Sequence, residues 1–66
     1  MNIEIIAIGT EVLRGFTENT NTGFLSRELT FAGFHVQRHQ AIPDDHSQII
    51  NALRDALKRS DLVITT

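Results

Sequence analysis

Ile3-Glu4-Ile5-Ile6-Ala7-Ile8 runs straight into Gly9-Thr10-Glu11-Val12-Leu13-Arg14-Gly15, and the reading of this junction decides the fold. The first six residues are nearly all apolar and mostly β-branched, the composition of a strand covered on both faces in a parallel sheet. The turn that follows carries a hydroxyl and a carboxylate, and open α/β sheets present ligands at such strand-to-turn junctions. The turn is not G-x-G-x-x-G, and the chain has no Walker motif. Read alone, a glycine after a strand is an ordinary turn. In the functional reading Gly9 lets the backbone approach a ligand, while Thr10 and Glu11 offer a donor and a charged acceptor.

Outward from this junction, Gly9 to Asn19 is polar and glycine-punctuated and reads as a loop. Thr20 or Asn21 can cap a helix from about Thr22 to Ala32, since either side chain can accept from a free first-turn N–H. Phe24, Leu25, Leu29 and Ala32 recur at helical spacing and predict one buried stripe. Gly33 is placed to end the helix, because glycine takes the left-handed conformation there without steric cost. Phe34 to Ile42 is more polar than the first strand, and its partial alternation, with Phe34 and Val36 on one face, predicts a less buried strand nearer an edge. Pro43 ends it. Asp44-Asp45-His46-Ser47 opens a second helix, whose Ile49, Ile50, Leu53, Ala56 and Leu57 form an amphipathic pattern. Lys58 and Arg59 complement its C-terminal dipole. Leu62-Val63-Ile64 reads as a last buried strand.

Strand, helix, strand, helix, strand implies an α/β fold with a parallel sheet and right-handed crossovers. The first and third strands are the most apolar and should be neighbours, giving the spatial order 2-1-3. That order places a topological switch point between strands one and three, where ligands of open α/β sheets bind. Gly9-Thr10-Glu11 and Thr65-Thr66 lie at that point, and Pro43-Asp44-Asp45 lies on the same rim. A third strand with one unpaired edge is an association liability, so the expectation is part of a larger domain or of a homo-oligomer.

Composition narrows the function class. Sixty-six residues with 41% apolar content make one small unit, and a domain of this size buries only about 60% of its unfolded surface. There is no cysteine, which excludes a disulfide framework and a Cys-based zinc site and suits a reducing cytoplasm. A net charge of -2 argues against a nucleic-acid partner, whose binding needs a basic face. No apolar run approaches the ~18 residues of a membrane span, and the N-terminus lacks the pattern of a secretory signal. The expectation is a soluble cytoplasmic chain.

Among candidate metal ligands, Asp44-Asp45 has a structural reading as a helix-start pair, where each acid contributes ~0.3–1 kcal/mol. Its functional reading uses a carboxylate to hold hydrated Mg²⁺, which needs one or two carboxylates plus phosphate oxygens. His35 and His39 share a strand face but lie ~13 Å apart at strand rise, and with His46 they make no metal site. No serine or threonine has a histidine base at local spacing.

Taken together, Ile8-Gly9-Thr10-Glu11-Val12-Leu13-x-Gly15, Thr20-Asn21, Leu25, Ala32-Gly33-Phe34-x-Val36, Ile42-Pro43-Asp44-Asp45 and Ser60-Asp61-Leu62-Val63-Ile64-Thr65-Thr66 resemble the opening of the CinA-type (competence/damage-inducible) domain. That domain belongs to the wider molybdopterin-binding group, with relatives in molybdenum-cofactor biosynthesis. The resemblance covers the whole chain. It implies the N-terminal portion of a three-layer α/β/α domain, in which the strand ending at Thr66 is followed by a glycine-rich phosphate-binding loop. It departs at Thr17, where the family usually has an apolar residue, and at Asn19, where it usually has an aspartate whose charge a neutral amide cannot supply.

What the resemblance implies about activity is a nucleotide-processing domain similar to divalent-metal-dependent ADP-ribose pyrophosphatases. In that reading Gly9, Thr10, Asn21 and Thr66 approach a nucleotide-type ligand, Glu11 and Asp44 contact metal or ligand in catalysis, and Asp44 and Asp45 are the metal candidates. Asp44 matches the aspartate linked, in relatives, to adenylyl transfer on molybdopterin. The first rival is accordingly molybdopterin binding or adenylyl transfer; the second, of a different class, is an inactive fragment that folds or works only with a partner chain.

Overall fold

The computed structural model describes residues 1–16 and 18–66, so the expectation attached to Thr17 lies outside the described residues. The elements are β1 (Asn2–Ile8), α1 (Thr10–Leu13), α2 (Thr20–Phe31), β2 (His35–Ile42), α3 (His46–Arg59) and β3 (Leu62–Thr65). The three strands are parallel in the order β2-β1-β3. Two right-handed crossovers that run in opposite directions, from β1 to β2 through α2 and from β2 past β1 to β3 through α3, put α2 and α3 on opposite faces of the sheet. The α/β class and strand order read from the sequence are those observed.

β1 is central because it can be covered everywhere. Ile3, Glu4, Ile5, Ile6 and Ala7 are all buried. Successive side chains point to opposite faces, so Ile6 and Ile8 face α3. There Ile6, Ile42 and Ala56 form a core packed by Ile49, Ala52, Leu53 and Val63. Ile3, Ile5 and Ala7 are buried on the other face, and α2 packs against β1 and β2. β2 is the edge strand expected: only Ile42 of its eight residues is buried. β3 is less buried than its composition suggests, because it pairs with β1 along one side only. Leu62 and Thr65 are exposed, and Val63 and Ile64 are half-buried.

Several local readings change. Part of the expected loop after Gly9 is the short helix α1. It closes through Gly15, whose φ of 80° is left-handed. Gly15 N donates to Val12 O and Phe16 N to Glu11 O, the paired bonds of a Schellman motif. The same pair closes α2 at Gly33 (φ 94°), from Gly33 N to Thr30 O and Phe34 N to Leu29 O. Phe34 is therefore part of this cap and precedes the strand. α2 starts two residues earlier than expected, because its cap is Asn19 rather than Thr20 or Asn21. Its stripe also differs: Thr22 is buried, Leu25 and Leu29 are half-buried, and Phe24 and Ala32 are exposed.

The largest departure from the sequence reading is Glu4, a fully buried acid inside the apolar strand. It faces the C-terminal end of α3, where Arg59 donates through Nε to Oε1 and through Nη2 to Oε2 at 3.0 Å. Ser60 Oγ donates to Oε1 at 2.8 Å. The β1–β2 register slips between Ile3 and Glu4, so that Gln37 is inserted between Val36 (opposite Ile3) and Arg38 (opposite Glu4). This is a β-bulge, which re-aims the inserted side chain. Gln37 Nε2 accordingly donates to Ser60 Oγ (2.7 Å) and to Arg59 O (3.2 Å). The Arg59 hydrogen bonds, helped by Ser60 and by Arg38, outweigh burial and hold the Glu4 carboxyl below its ordinary range. A buried charge is tolerable only when paired and hydrogen-bonded in this way.

Candidate functional site

At the opposite end of the sheet, the carboxyl ends of β1, β2 and β3 are drawn into one rim by backbone bonds. Gly9 N donates to Ile42 O and Ile8 N to Thr66 O, both at 2.9 Å. Thr66 N in turn donates to Ile6 O at 3.0 Å. Gly9 is extended (φ 162°, ψ 123°), so its backbone conformation is open to any residue. What sets Gly9 apart is space: a Cβ there would stand 2.8 Å from Glu11 Oε1. Glu11, in the first turn of α1, lays its carboxylate back over Gly9.

Asp44 is tied to the same rim. Its amide N donates to Thr10 Oγ1 at 3.2 Å, which fastens the loop after β2 to the turn after β1. Its neighbour behaves differently. The Asp45 carboxylate caps α3, accepting from Ser47 Oγ at 2.7 Å and from Gln48 N at 3.1 Å. The Ser47 bond first, and then the Gln48 bond, lower its pKa below the ordinary aspartate value. Of the two acids read as metal candidates, Asp45 is thus engaged in the structural role also foreseen for the pair. Among the described residues the Asp44 carboxylate accepts no hydrogen bond.

A hollow of about 210 Å³ opens at the rim, lined by Ala7, Ile8, Val12, Glu18, Asn19, Asn21 and Thr66. It brings together two of the expected binding residues, Asn21 and Thr66, at the ends of α2 and β3. Gly9, Thr10, Glu11 and Asp44 do not line it; they form the neighbouring stretch of the rim. Val12, Glu18 and Asn19 were not among the expected ligand contacts. The signal for Glu18 and Asn19 was the polar run Glu18-Asn19-Thr20-Asn21 at the start of a helix, which reads equally well as capping alone; Val12 carried none. Asn19 does cap α2, its Oδ1 accepting from Thr22 Oγ1 at 2.8 Å and from Thr22 N at 3.4 Å. A hollow of about 260 Å³ on α2, lined by Ser26, Arg27, Thr30 and Phe31, lies away from the strand ends.

No three His, Asp or Glu side chains converge on one point among the described residues. The donor set therefore does not build an all-protein metal cage. It does fit a hydrated Mg²⁺ shared with a ligand's phosphates, which asks for only one or two carboxylates. Asp44 and Glu11 are the carboxylates beside the glycine turn, and Glu18 lines the neighbouring hollow.

Residues 4–66 match the family described as "Probable molybdopterin binding domain". The chain belongs to this family. Within the molybdopterin-binding family it is CinA-like. Over all 66 residues it is 42% identical to a putative competence-damage inducible protein of Clostridioides difficile and 46% identical to one of Alkaliphilus oremlandii, covering 16% of each. It is 44% identical to a protein of Caldivirga maquilingensis, of which it covers 26%. The crystal structure of CinA from Thermoplasma acidophilum, described as of unknown function, superimposes with a TM-score of 0.91 at 42% identity. That match covers 97% of this chain and 38% of the CinA chain. The chain thus spans about a quarter or less of these sequence relatives. Among its described residues no helix is long and apolar enough to cross a membrane.

Proposed function

We propose that the strand-end rim is one side of a site for a phosphate-bearing small molecule, and that the site serves metal-dependent hydrolysis of a nucleotide pyrophosphate of the ADP-ribose type. The observation that carries this reading is the Asp44 N–Thr10 Oγ1 hydrogen bond. It fixes a carboxylate-bearing loop beside the glycine turn at the switch point, where ligands of open α/β sheets bind. Asp44 and Glu11 would hold the hydrated ion, and Gly9 and Thr10 would bring backbone and hydroxyl close to the phosphates. Bound Mg²⁺ supplies neutralisation of phosphoryl oxygens and a more acidic water. The hollow is smaller than the ~300–1,000 Å³ of whole ligand pockets, in keeping with a site completed by further protein from the same or a second copy. The absence of cysteine is in keeping with a cytoplasmic setting.

The test is a pyrophosphatase assay with Mg²⁺ and ADP-ribose on the intact protein carrying this sequence. Asp44→Ala should lower turnover by at least about tenfold, the lower bound for disturbing a metal's ligand shell. Unchanged turnover removes Asp44 from the mechanism.

A second reading is favoured by the description of the matched family: binding of molybdopterin at the same rim. Co-purification of a pterin without turnover of ADP-ribose would put this reading first.

A further inference from the structure

We propose that Glu4, Arg59, Ser60 and Asp61 form a polar clamp that sets the register of β3. Side chains at the amino end of the sheet thereby act as positioning residues for Thr66 on the rim, about 20 Å from Ser60 at strand rise. What that position means for a ligand rests on the rim being a phosphate-ligand site, as proposed above.

A strand's register ordinarily comes from its hydrophobic alternation, because a one-residue slip carries every buried side chain to the other face. β3 lacks that signal. Leu62, Val63 and Ile64 are consecutive aliphatics, and Val63 stands opposite Glu4 on the face toward α3. After a slip of one residue in either direction, Leu62 or Ile64 takes that place. Burial adds little preference, since Leu62 is exposed and Val63 and Ile64 are only half-buried. Apolar contacts therefore distinguish the three registers poorly.

Polar contacts distinguish them sharply. Three consecutive residues ahead of β3 are each tied to β1. Arg59 donates to both carboxylate oxygens of Glu4, and Ser60 Oγ donates to Glu4 Oε1 at 2.8 Å. Asp61 Oδ2 accepts from Asn2 N at 2.7 Å, while Asp61 N donates to Asn2 O at 2.9 Å. Glu4 is fully buried, so a slip that separates it from Arg59 and Ser60 leaves a buried charge without partners, among the costliest changes a fold can suffer. Fixing register is the best-attested use of such buried polar groups. A slip would also move Thr66 by about 3.3 Å along the strand and take it out of its bonds with Ile6 O and Ile8 N.

The experiment compares two variants with the unmodified intact protein. The first removes the clamp through Glu4→Met, Arg59→Met, Ser60→Ala and Asp61→Ala together; exchanging a buried ion pair for apolar groups of similar size is often neutral for stability. The second, Val63→Thr, keeps the clamp and puts a hydroxyl on the core face of the native register. Nuclear Overhauser contacts of Ile5 read the register: its strand partner is Ile64 natively, and becomes residue 63 or 65 after a slip. Calorimetry with inorganic pyrophosphate and Mg²⁺ reads the rim. The expected result is mixed registers in the first variant and an intact Ile5–Ile64 contact in the second. If the three registers become equally populated, the native fraction falls to about a third and the apparent pyrophosphate affinity falls about threefold, because affinity scales with the competent fraction. A single native register in the first variant overturns the clamp. So does a slipped β3 in Val63→Thr, which decides the question by itself if the first variant does not fold. Mixed registers with unchanged pyrophosphate affinity overturn the positioning role. If the unmodified protein binds no pyrophosphate, the reading of the rim as a phosphate-ligand site fails, while the Ile5 contacts still decide for or against the clamp.

Discussion

Shortening Ile6 to alanine probes the packing on which the rim rests, and the structure sets its magnitude. Ile6 is fully buried at the centre of the β1–α3 core, in one cluster with Ile42 and Ala56. Ile6→Ala removes three carbon groups, so the lost transfer free energy is about 2.4 kcal/mol at ~0.8 kcal/mol each. A cavity term adds to this, and Ile→Ala changes in cores span about 2–5 kcal/mol according to how far the site collapses. Here β1 is hydrogen-bonded to a neighbour on both sides and cannot move in. Ile49 and Leu53 are only partly buried on α3 and can close part of the gap. The expected loss is therefore about 3–4 kcal/mol. At ~0.05–0.15 kcal/mol per residue, a chain of this size has only about 3–10 kcal/mol of stability. Urea unfolding followed by far-ultraviolet circular dichroism should show the midpoint falling by about 2–4 M, given a slope near 1–1.5 kcal/mol/M. Leu57→Ala, on the exposed side of the same helix, should cost under about 0.5 kcal/mol. A loss below about 1 kcal/mol for Ile6→Ala, or equal losses for the two variants, would refute this account of the core.

Two further outcomes follow from particular residues. The folded-state pKa of Glu4 is depressed from an ordinary value of 4.5, so its ionised form contributes stability that is fully present above that value. The contribution is lost as the pH falls through the lower folded value. Unfolding midpoints between pH 2 and 6 should therefore depend less on pH in Glu4→Gln than in the unmodified chain; Asp45, also depressed, retains part of the slope. Equal pH dependence would show that Glu4 titrates alike in both states. Gly33→Ala places a Cβ at φ 94°, where the chirality penalty is about 1–2 kcal/mol, and its unfolding midpoint should fall accordingly. An unchanged midpoint would mean that the cap does not require left-handed geometry.

The arrangement of charge explains why the two ends of the sheet differ. At the amino end of the strands Glu4 accepts from Arg59 and Ser60, and the bulged Gln37 donates to Ser60 in turn, so that β1, β2 and the end of α3 are tied together. At the carboxyl end Asp44 and Glu11 are exposed and unpaired by any cation among the described contacts. An acid that is fully hydrogen-bonded contributes to folding, whereas an acid left open at a switch point is available to a ligand or metal.

The sequence by itself determined the order of elements, the parallel sheet and the 2-1-3 arrangement, because hydrophobic periodicity and the right-handedness of crossovers are local or universal constraints. It also placed Gly9-Thr10-Glu11, Asp44 and Thr66 on one rim, since strand ends in a parallel sheet face the same way. Tertiary structure decided what those residues do there. Whether Asp45 caps a helix while Asp44 stays open depends on where α3 begins, and the sequence offered both acids as starts. Whether Glu4 disrupts or organises β1 depends on Arg59, 55 positions away in the chain, and on a bulge at Gln37 that periodicity cannot show. Burial of the third strand failed as a reading for a related reason. Composition reports what a strand can cover, and only its neighbours in space determine what it does cover.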